Sequence, residues 1–165
     1  QAAQIRQATR APQTVRIRES PSGARFGALH ETNNQTNGDI MLINLSNHPS
    51  SKWSEAQLNA AQSYGEVEDM NFPLIPPEWD ESQVTDLAKD YAERIVRRLN
   101  EAGGGRHAVH IMGEMTFTCT LVRLLQQQGI TCIASTSQRI VEEDPASGKK
   151  TAYFRFERFR NYPNT

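Results

Sequence analysis

RHAVHIMGEMTFTCTLVRLLQQQGI, residues Arg106–Ile130, passes from a strand pattern to a helical one and back within 25 residues. Ala108–Met112 is an apolar run long enough for a buried strand and too short for a buried helix. Gly113 interrupts it. From Met115 to Gln128 the spacing turns helical, with Leu121, Leu124 and Leu125 on a wide apolar face. Gly129 stands where helices commonly close on a left-handed glycine, and a second apolar run, Ile130–Ala134, begins at once. Strand, turn, helix, strand is a βαβ unit, whose right-handed crossover lays its two strands parallel. The turn from Gly113 through Glu114, Met115, Thr116 and Phe117 to Thr118 offers backbone N–H groups at a helix start beside two threonine hydroxyls, a seat suited to phosphate. It is neither a Walker A loop nor a Gly-x-Gly-x-x-Gly turn.

Working back toward the N-terminus, the periodicity alternates between strand and helix. Asp80 with Gln83 three residues on reads as a capping box. The helix it opens runs to about Glu101 on a stripe of Val84, Leu87, Ala88, Tyr91, Ile95 and Leu99, and Gly103-Gly104-Gly105 ends it. Val67–Phe72 reads as a strand leading into Pro73, Pro76 and Pro77. Before it, Trp53, Ala56, Ala60 and Tyr64 recur at helical spacing, closed by Gly65. Met41–Leu45 is the first strand, a continuous apolar run broken only by Asn44, and Ser46–Ser51 is the loop after it. Residues 1–40 hold five arginines, no lysine and no sustained apolar period. They read as a tail that cannot bury enough surface to order itself, as an extension upstream of a natural start at Met41, or as a basic arm.

Beyond Ala134 the chain stays extended to Glu143, turns at Asp144–Gly148 and returns through Thr151 to Tyr162. Alternation of Phe154, Arg155, Phe156 and Glu157 marks that return as a half-exposed antiparallel strand. The expected fold is therefore α/β: a Rossmann-like three-layer domain over residues 41–165, its mostly parallel sheet in the order 2-1-3-4-5 with an antiparallel C-terminal edge strand. In that order ligands bind at the carboxyl ends of strands one and three. There the loops Ser46–Lys52 and Gly113–Thr118 are expected to meet, with Ser135-Thr136-Ser137-Gln138-Arg139 next along.

Composition narrows the classes. The chain has 165 residues and a net charge of -1, so one core is feasible and no global basic field argues for duplex DNA. No apolar run approaches a membrane span, and no signal-peptide core is present; a cytoplasmic protein is expected. Cys119 and Cys132 both fall in apolar runs and are expected to be buried thiols. No metal or cofactor is expected, because there is no Cys-x-x-Cys and the four histidines are scattered.

Each candidate side chain has a chemical and a structural reading. Asn47 and His48 have the chemistry to bind a base, ribose or phosphate, and His48 to exchange protons near neutrality; Ser46 and Asn47 equally suit the turn before Pro49. Glu114 suits a base or a ribose ligand, or a carboxylate at a helix start. Thr116 and Thr118 suit phosphate, or capping. Arg139 suits phosphate, or a solvated strand position; Lys52 has the same charge but is equally an ordinary surface lysine, and Ser137 stands in the polar stretch beside the crevice. His107 and His110, beside the third strand, read as partner-satisfied or surface histidines, and Ser135 and Thr136 as ordinary strand residues. Arg155, Arg158 and Arg160 read as a solvated edge that discourages sheet-to-sheet pairing. No Ser-His-Asp order and no paired carboxylates stand out. Metal-free cleavage of an RNA phosphodiester fits such a site, since the ribose 2′-hydroxyl is its own nucleophile and needs only alignment and charge stabilisation.

The first strand ending in Leu45-Ser46-Asn47-His48-Pro49, the turn Gly113–Thr118 opening the third helix and the order of elements from Met41 to Tyr162 resemble the CRISPR-associated Rossmann-fold (CARF) family. Within it, the chain is similar to the small stand-alone ring nucleases. The resemblance implies a homodimer that binds a cyclic oligoadenylate, the second messenger of type III CRISPR immunity, across its two-fold axis and in some members linearises it. It carries over to Asn47, His48 and Thr116 as catalytic residues. The binding residues it suggests are Ser46, Asn47, Lys52, Gly113, Glu114, Met115, Thr118, Ser137 and Arg139. No effector domain accompanies the fold, which suggests a sensor or a degrader of the messenger. Two alternatives stand beside it: a non-catalytic binding module, and a Rossmann-like enzyme acting on a nucleoside or nucleotide with Glu114 as nucleophile or base.

Overall fold

A computed structural model describes residues 40–164; the reading of the first 39 residues as a tail, extension or arm lies outside the described residues. The elements run β1 (Met41–Ser46), a 3-10 turn (Ser50–Lys52), α1 (Glu55–Ala61) with a 3-10 extension (Gln62–Tyr64), β2 (Glu66–Asn71), α2 (Glu81–Glu101), β3 (Ala108–Met112), α3 (Met115–Gln126), β4 (Thr131–Glu143) and β5 (Lys150–Asn161). They form one five-stranded sheet in the order β2-β1-β3-β4-β5, parallel except for the β4–β5 pair. The expected α/β architecture and strand order hold.

The three layers follow from strand alternation. Every residue of β1 is buried, as expected of a central parallel strand covered on both faces. Met41, Ile43 and Leu45, with Val109 and Ile111, pack against Val84, Ala88, Tyr91 and Ile95 of α2 and Phe117, Leu121 and Leu125 of α3. Leu42, Ala108 and Ile133 point the other way, toward Trp53, Ala61 and Phe159. The α2 capping box forms: Asp80 accepts from the Ser82 and Gln83 backbones while Gln83 Oε1 accepts from Asp80 N–H. Arg98 on α2 grips Glu68 on β2 through two nitrogens, at 2.9 and 2.6 Å.

Two expectations need correcting. Trp53 does not begin a helical stripe. Ser54 caps a helix that starts at Glu55, Ala56 is exposed, and Trp53 is buried against the sheet from extended backbone. Cys119 is exposed on the outer side of α3, because the helix buries Phe117, Thr118, Leu121, Val122 and Leu125 instead. Cys132 is buried, and burial pushes its thiol up to about 12.

β4 and β5 outrun the sheet. β4 pairs with β3 only over Thr131–Ile133, while its partnership with β5 continues to Glu143. Between Thr136 and Ser137 the register slips: Thr136 faces Arg158 but Ser137 faces Phe156, which leaves Glu157 as the extra residue of a bulge on β5. A bulge re-aims the side chains beyond it. Phe159, Phe156 and Phe154, whose spacing fits no regular strand face, are thereby brought to one side.

Candidate functional site

β1 and β3 each carry one polar residue in an apolar run, and parallel pairing sets the two side by side: Asn44 opposite His110. Both are buried. A buried polar side chain must find partners or cost stability, and here the partners form a continuous chain. Asn44 Nδ2 donates to Asp69 Oδ1 at 2.6 Å and to the His48 carbonyl at 2.9 Å. Its Oδ1 lies 2.8 Å from His110 Nδ1 and accepts from Ser46 Oγ at 2.9 Å. His110 Nε2 lies 2.8 Å from Ser135 Oγ and also accepts the Ser135 backbone N–H at 3.2 Å. Gln57 Nε2, from α1, donates to Ser135 Oγ at 3.1 Å.

These partners fix the tautomer. Asp69 and the His48 carbonyl demand donors, which orients the Asn44 amide and turns its oxygen to His110. Nδ1 must therefore carry the proton, leaving Nε2 to accept from Ser135. The ring is wedged edge-on between Trp53, at 5.3 Å between centroids, and Phe159, at 5.5 Å. Burial first, and then repulsion from His48, push its pKa down to about 4, so His110 is neutral at physiological pH. Burial works to raise the Asp69 carboxyl, but hydrogen bonds from Asn44 and Ser50 outweigh it and hold the group below the usual carboxylate range.

This chain floors a cavity of about 340 Å³ at the carboxyl ends of the strands, on the α1 side. Ser46, His48 and Lys52 line it from the loop after β1, Trp53 and Gln57 from α1 and its approach, and Ser135, Thr136 and Ser137 from β4. The bulge supplies Phe154 and Phe156 to its lip. Asn47 lines a neighbouring hollow of about 270 Å³ with Ser46, Asp69 and Phe72. A third hollow, of about 330 Å³, lies among Leu99, Gly105 and Gly129, at the opposite edge of the sheet from the ligand-binding side of such folds.

The expected meeting of two loops divides in two. Ser46, His48, Lys52 and Ser137 share the cavity, but Gly113–Thr118 lines neither hollow at this edge and opens α3 on the other side of the sheet. Glu114 occupies the helix start that a phosphate would use. Its carboxylate accepts from Thr116 N–H at 3.0 Å, Phe117 N–H at 2.8 Å and Thr116 Oγ1 at 2.7 Å. The bond from Phe117 N–H leads the contacts that hold this carboxyl below its ordinary range. Thr118 is buried with its hydroxyl unpartnered, and Met115 is largely exposed. Gly113 is required by packing, since a Cβ there would lie 2.2 Å from the tip of the Phe72 ring. Arg139 is exposed on the β4–β5 ribbon and outside the cavity lining. Among the described residues no three His, Cys, Asp or Glu side chains converge to hold a metal ion, and no helix is long and apolar enough to cross a membrane.

Asn44 and Asp69 escaped the reading of the sequence as a site, while His110 was expected as a partner-satisfied or surface histidine and Ser135 as an ordinary strand residue beside the crevice. The available signal was a polar residue inside a buried parallel strand: Asn44 in β1 and His110 in β3 each demanded a partner.

Residues 40–160 match the model of the uncharacterized protein MJ1673 family. The chain belongs to that family. The match runs from the residue before β1 to the last residue but one of β5, so the MJ1673 family model takes in the sheet except Asn161 and every residue of the Asp69–Ser135 chain. Neither the curated proteins nor the solved structures gave a match to this MJ1673-family chain.

Proposed function

We propose that the cavity binds a cyclic oligoadenylate, as a second messenger of type III CRISPR immunity, at the crevice of a homodimer, and opens it by metal-independent phosphodiester cleavage. The observation that carries this reading is the make-up of the cavity wall, where Trp53, Phe154 and Phe156 stand beside His48, Lys52 and four hydroxyl side chains. Aromatic faces stack bases regardless of sequence, and cations track the phosphates between them. Place in the fold supports the same class of ligand, since open parallel sheets bind nucleotides at their carboxyl edge. The resemblance to the CARF family narrows that class to the cyclic messenger. Glu114 is not carried forward as nucleophile or base, because both its oxygens are engaged by the start of α3.

The test is incubation of labelled cyclic tri-, tetra- and hexa-adenylate with the protein in EDTA, followed by separation of products. The expected product ends in a 2′,3′-cyclic phosphate, the mark of attack by the ribose hydroxyl. His48→Ala should slow cleavage about 10²-fold with little loss of binding, whereas Lys52→Ala should weaken binding. Binding without turnover would leave a sensor or sponge module. Loss of activity in EDTA with rescue by magnesium or manganese would sink the metal-free mechanism.

A further inference from the structure

The hydrogen-bonded chain beneath the cavity has a polarity that packing alone does not require. From Asp69 through Asn44 to His110, each bond donates toward the carboxylate, and the final acceptor lone pair, on His110 Nε2, is turned to the hydroxyl of Ser135. Ser135 Oγ lies at the cavity wall, accepts one bond from Gln57, and retains a lone pair for a further donor. An uncharged imidazole, fixed in one tautomer with its unprotonated nitrogen shared between the hydroxyl, at 2.8 Å, and the more distant backbone N–H, at 3.2 Å, of a residue at a ligand cavity, is arranged as a general base.

We infer that Ser135 and His110 form the proton-accepting unit of the crevice: Ser135 Oγ takes the proton of the attacking ribose 2′-hydroxyl as it passes its own to His110 Nε2. The inference rests on the nucleotide reading of the cavity and assigns the base within it. In the step, the 2′-oxygen bonds to phosphorus and the bond from phosphorus to the 5′-oxygen breaks. The leaving oxygen takes a proton from solvent, and the imidazolium later returns one, so no water is consumed. Asn44 acts as a positioning residue, holding Nδ1–H, and Asp69 places a negative charge behind it to favour the imidazolium as it forms. The titratable groups facing His110 are His48 and Lys52 from the loop after β1 and Asp69 from β2 behind Asn44. α1, β4 and β5 present uncharged Gln57, Ser135 and Phe159.

The experiment measures binding and single-turnover cleavage of labelled cyclic tetra-adenylate from pH 4 to pH 8, for the parent chain, Ser135→Ala and His110→Gln. Both variants should bind as the parent does and cleave about 10²- to 10⁴-fold more slowly. The parent rate should fall on the acid side as His110 takes up a proton, and that limb should disappear in both variants. Because His110 is buried, melting curves accompany the assay; Ser135→Ala removes one oxygen at the cavity wall and keeps the test decisive if His110→Gln does not fold. A parent that cleaves with variants at its rate, or with an unchanged acid limb, overturns the inference and leaves the nucleotide reading standing. A parent that binds the ring without cleaving it overturns the inference together with the cleavage half of the proposed function, and leaves the binding reading standing. Absence of binding by the parent overturns both.

Discussion

The His110 ring makes the stability of the fold depend on pH. Its free, unfolded-chain value is 6.5 and its folded value about 4, so between them the unfolded chain binds the extra proton. Stability therefore rises with pH through that window: the contribution is complete above 6.5 and is lost as pH falls toward 4. The depression from 6.5 to about 4 corresponds to roughly 3 kcal/mol at most. Urea denaturation of the parent should show stability falling from pH 7 to pH 5, above the range where carboxylates dominate, and His110→Gln should flatten the slope. A parent curve flat over that range would refute a neutral, buried ring. Asn44 is coupled to the same chain. Asn44→Ala leaves His110 Nδ1–H without its acceptor and Asp69 without its 2.6 Å donor, and should cost about 2–3 kcal/mol by the same measurement.

Secondary-structure elements carry their own constraints at the carboxyl edge. The β3–α3 turn is spent on structure, with Gly113 making room for Phe72 and Glu114 capping the helix. Gly113→Ala drives its Cβ into the Phe72 ring, which is itself set T-shaped on Phe117 at 5.3 Å, and should destabilise by about 1–3 kcal/mol. Adding Phe72→Ala should make the Gly113→Ala step nearly neutral. Equal costs in the two backgrounds would show that the glycine serves something other than this contact. On the far side of the sheet, the Glu157 bulge is what lets β5 contribute aromatic residues to both the core and the cavity lip.

At the scale of the described residues, β4 and β5 form a two-stranded ribbon that continues past their pairing with β3, with Val141, Tyr153 and Phe154 among its exposed residues. Exposed apolar side chains on such an extension suit contact with another copy, and a ligand of two-fold symmetry is matched by two copies of one crevice. Light scattering at micromolar concentration should return about twice the 18.6 kDa chain mass. A monomer both with and without cyclic oligoadenylate would count against the shared-crevice reading.

The alternation of strands and helices, the span of α2 and its capping box were legible in the sequence because each is set by local periodicity or local hydrogen bonding, and the strand order followed from the right-handed crossovers that join such elements. Buried parallel strands read as apolar runs, α2 as a stripe with a period near four, and Asp80 and Gln83 as neighbours three residues apart. The cavity was legible in its location, since strand order fixes which loops reach the switch point, and His48 and Lys52 of its lining stood among the candidates. The hydrogen-bonded chain beneath it was not legible. Asn44, Asp69, His110 and Ser135 come from four strands, and 66 residues separate the first from His110, so no local pattern joins them. The direction of the loops also needed the third dimension, because α3 leaves β3 on the side away from α1 and carries Glu114 and Thr116 from the cavity. Periodicity records which face of an element is buried; only packing decides which buried polar groups must satisfy one another, and that requirement joined these four residues.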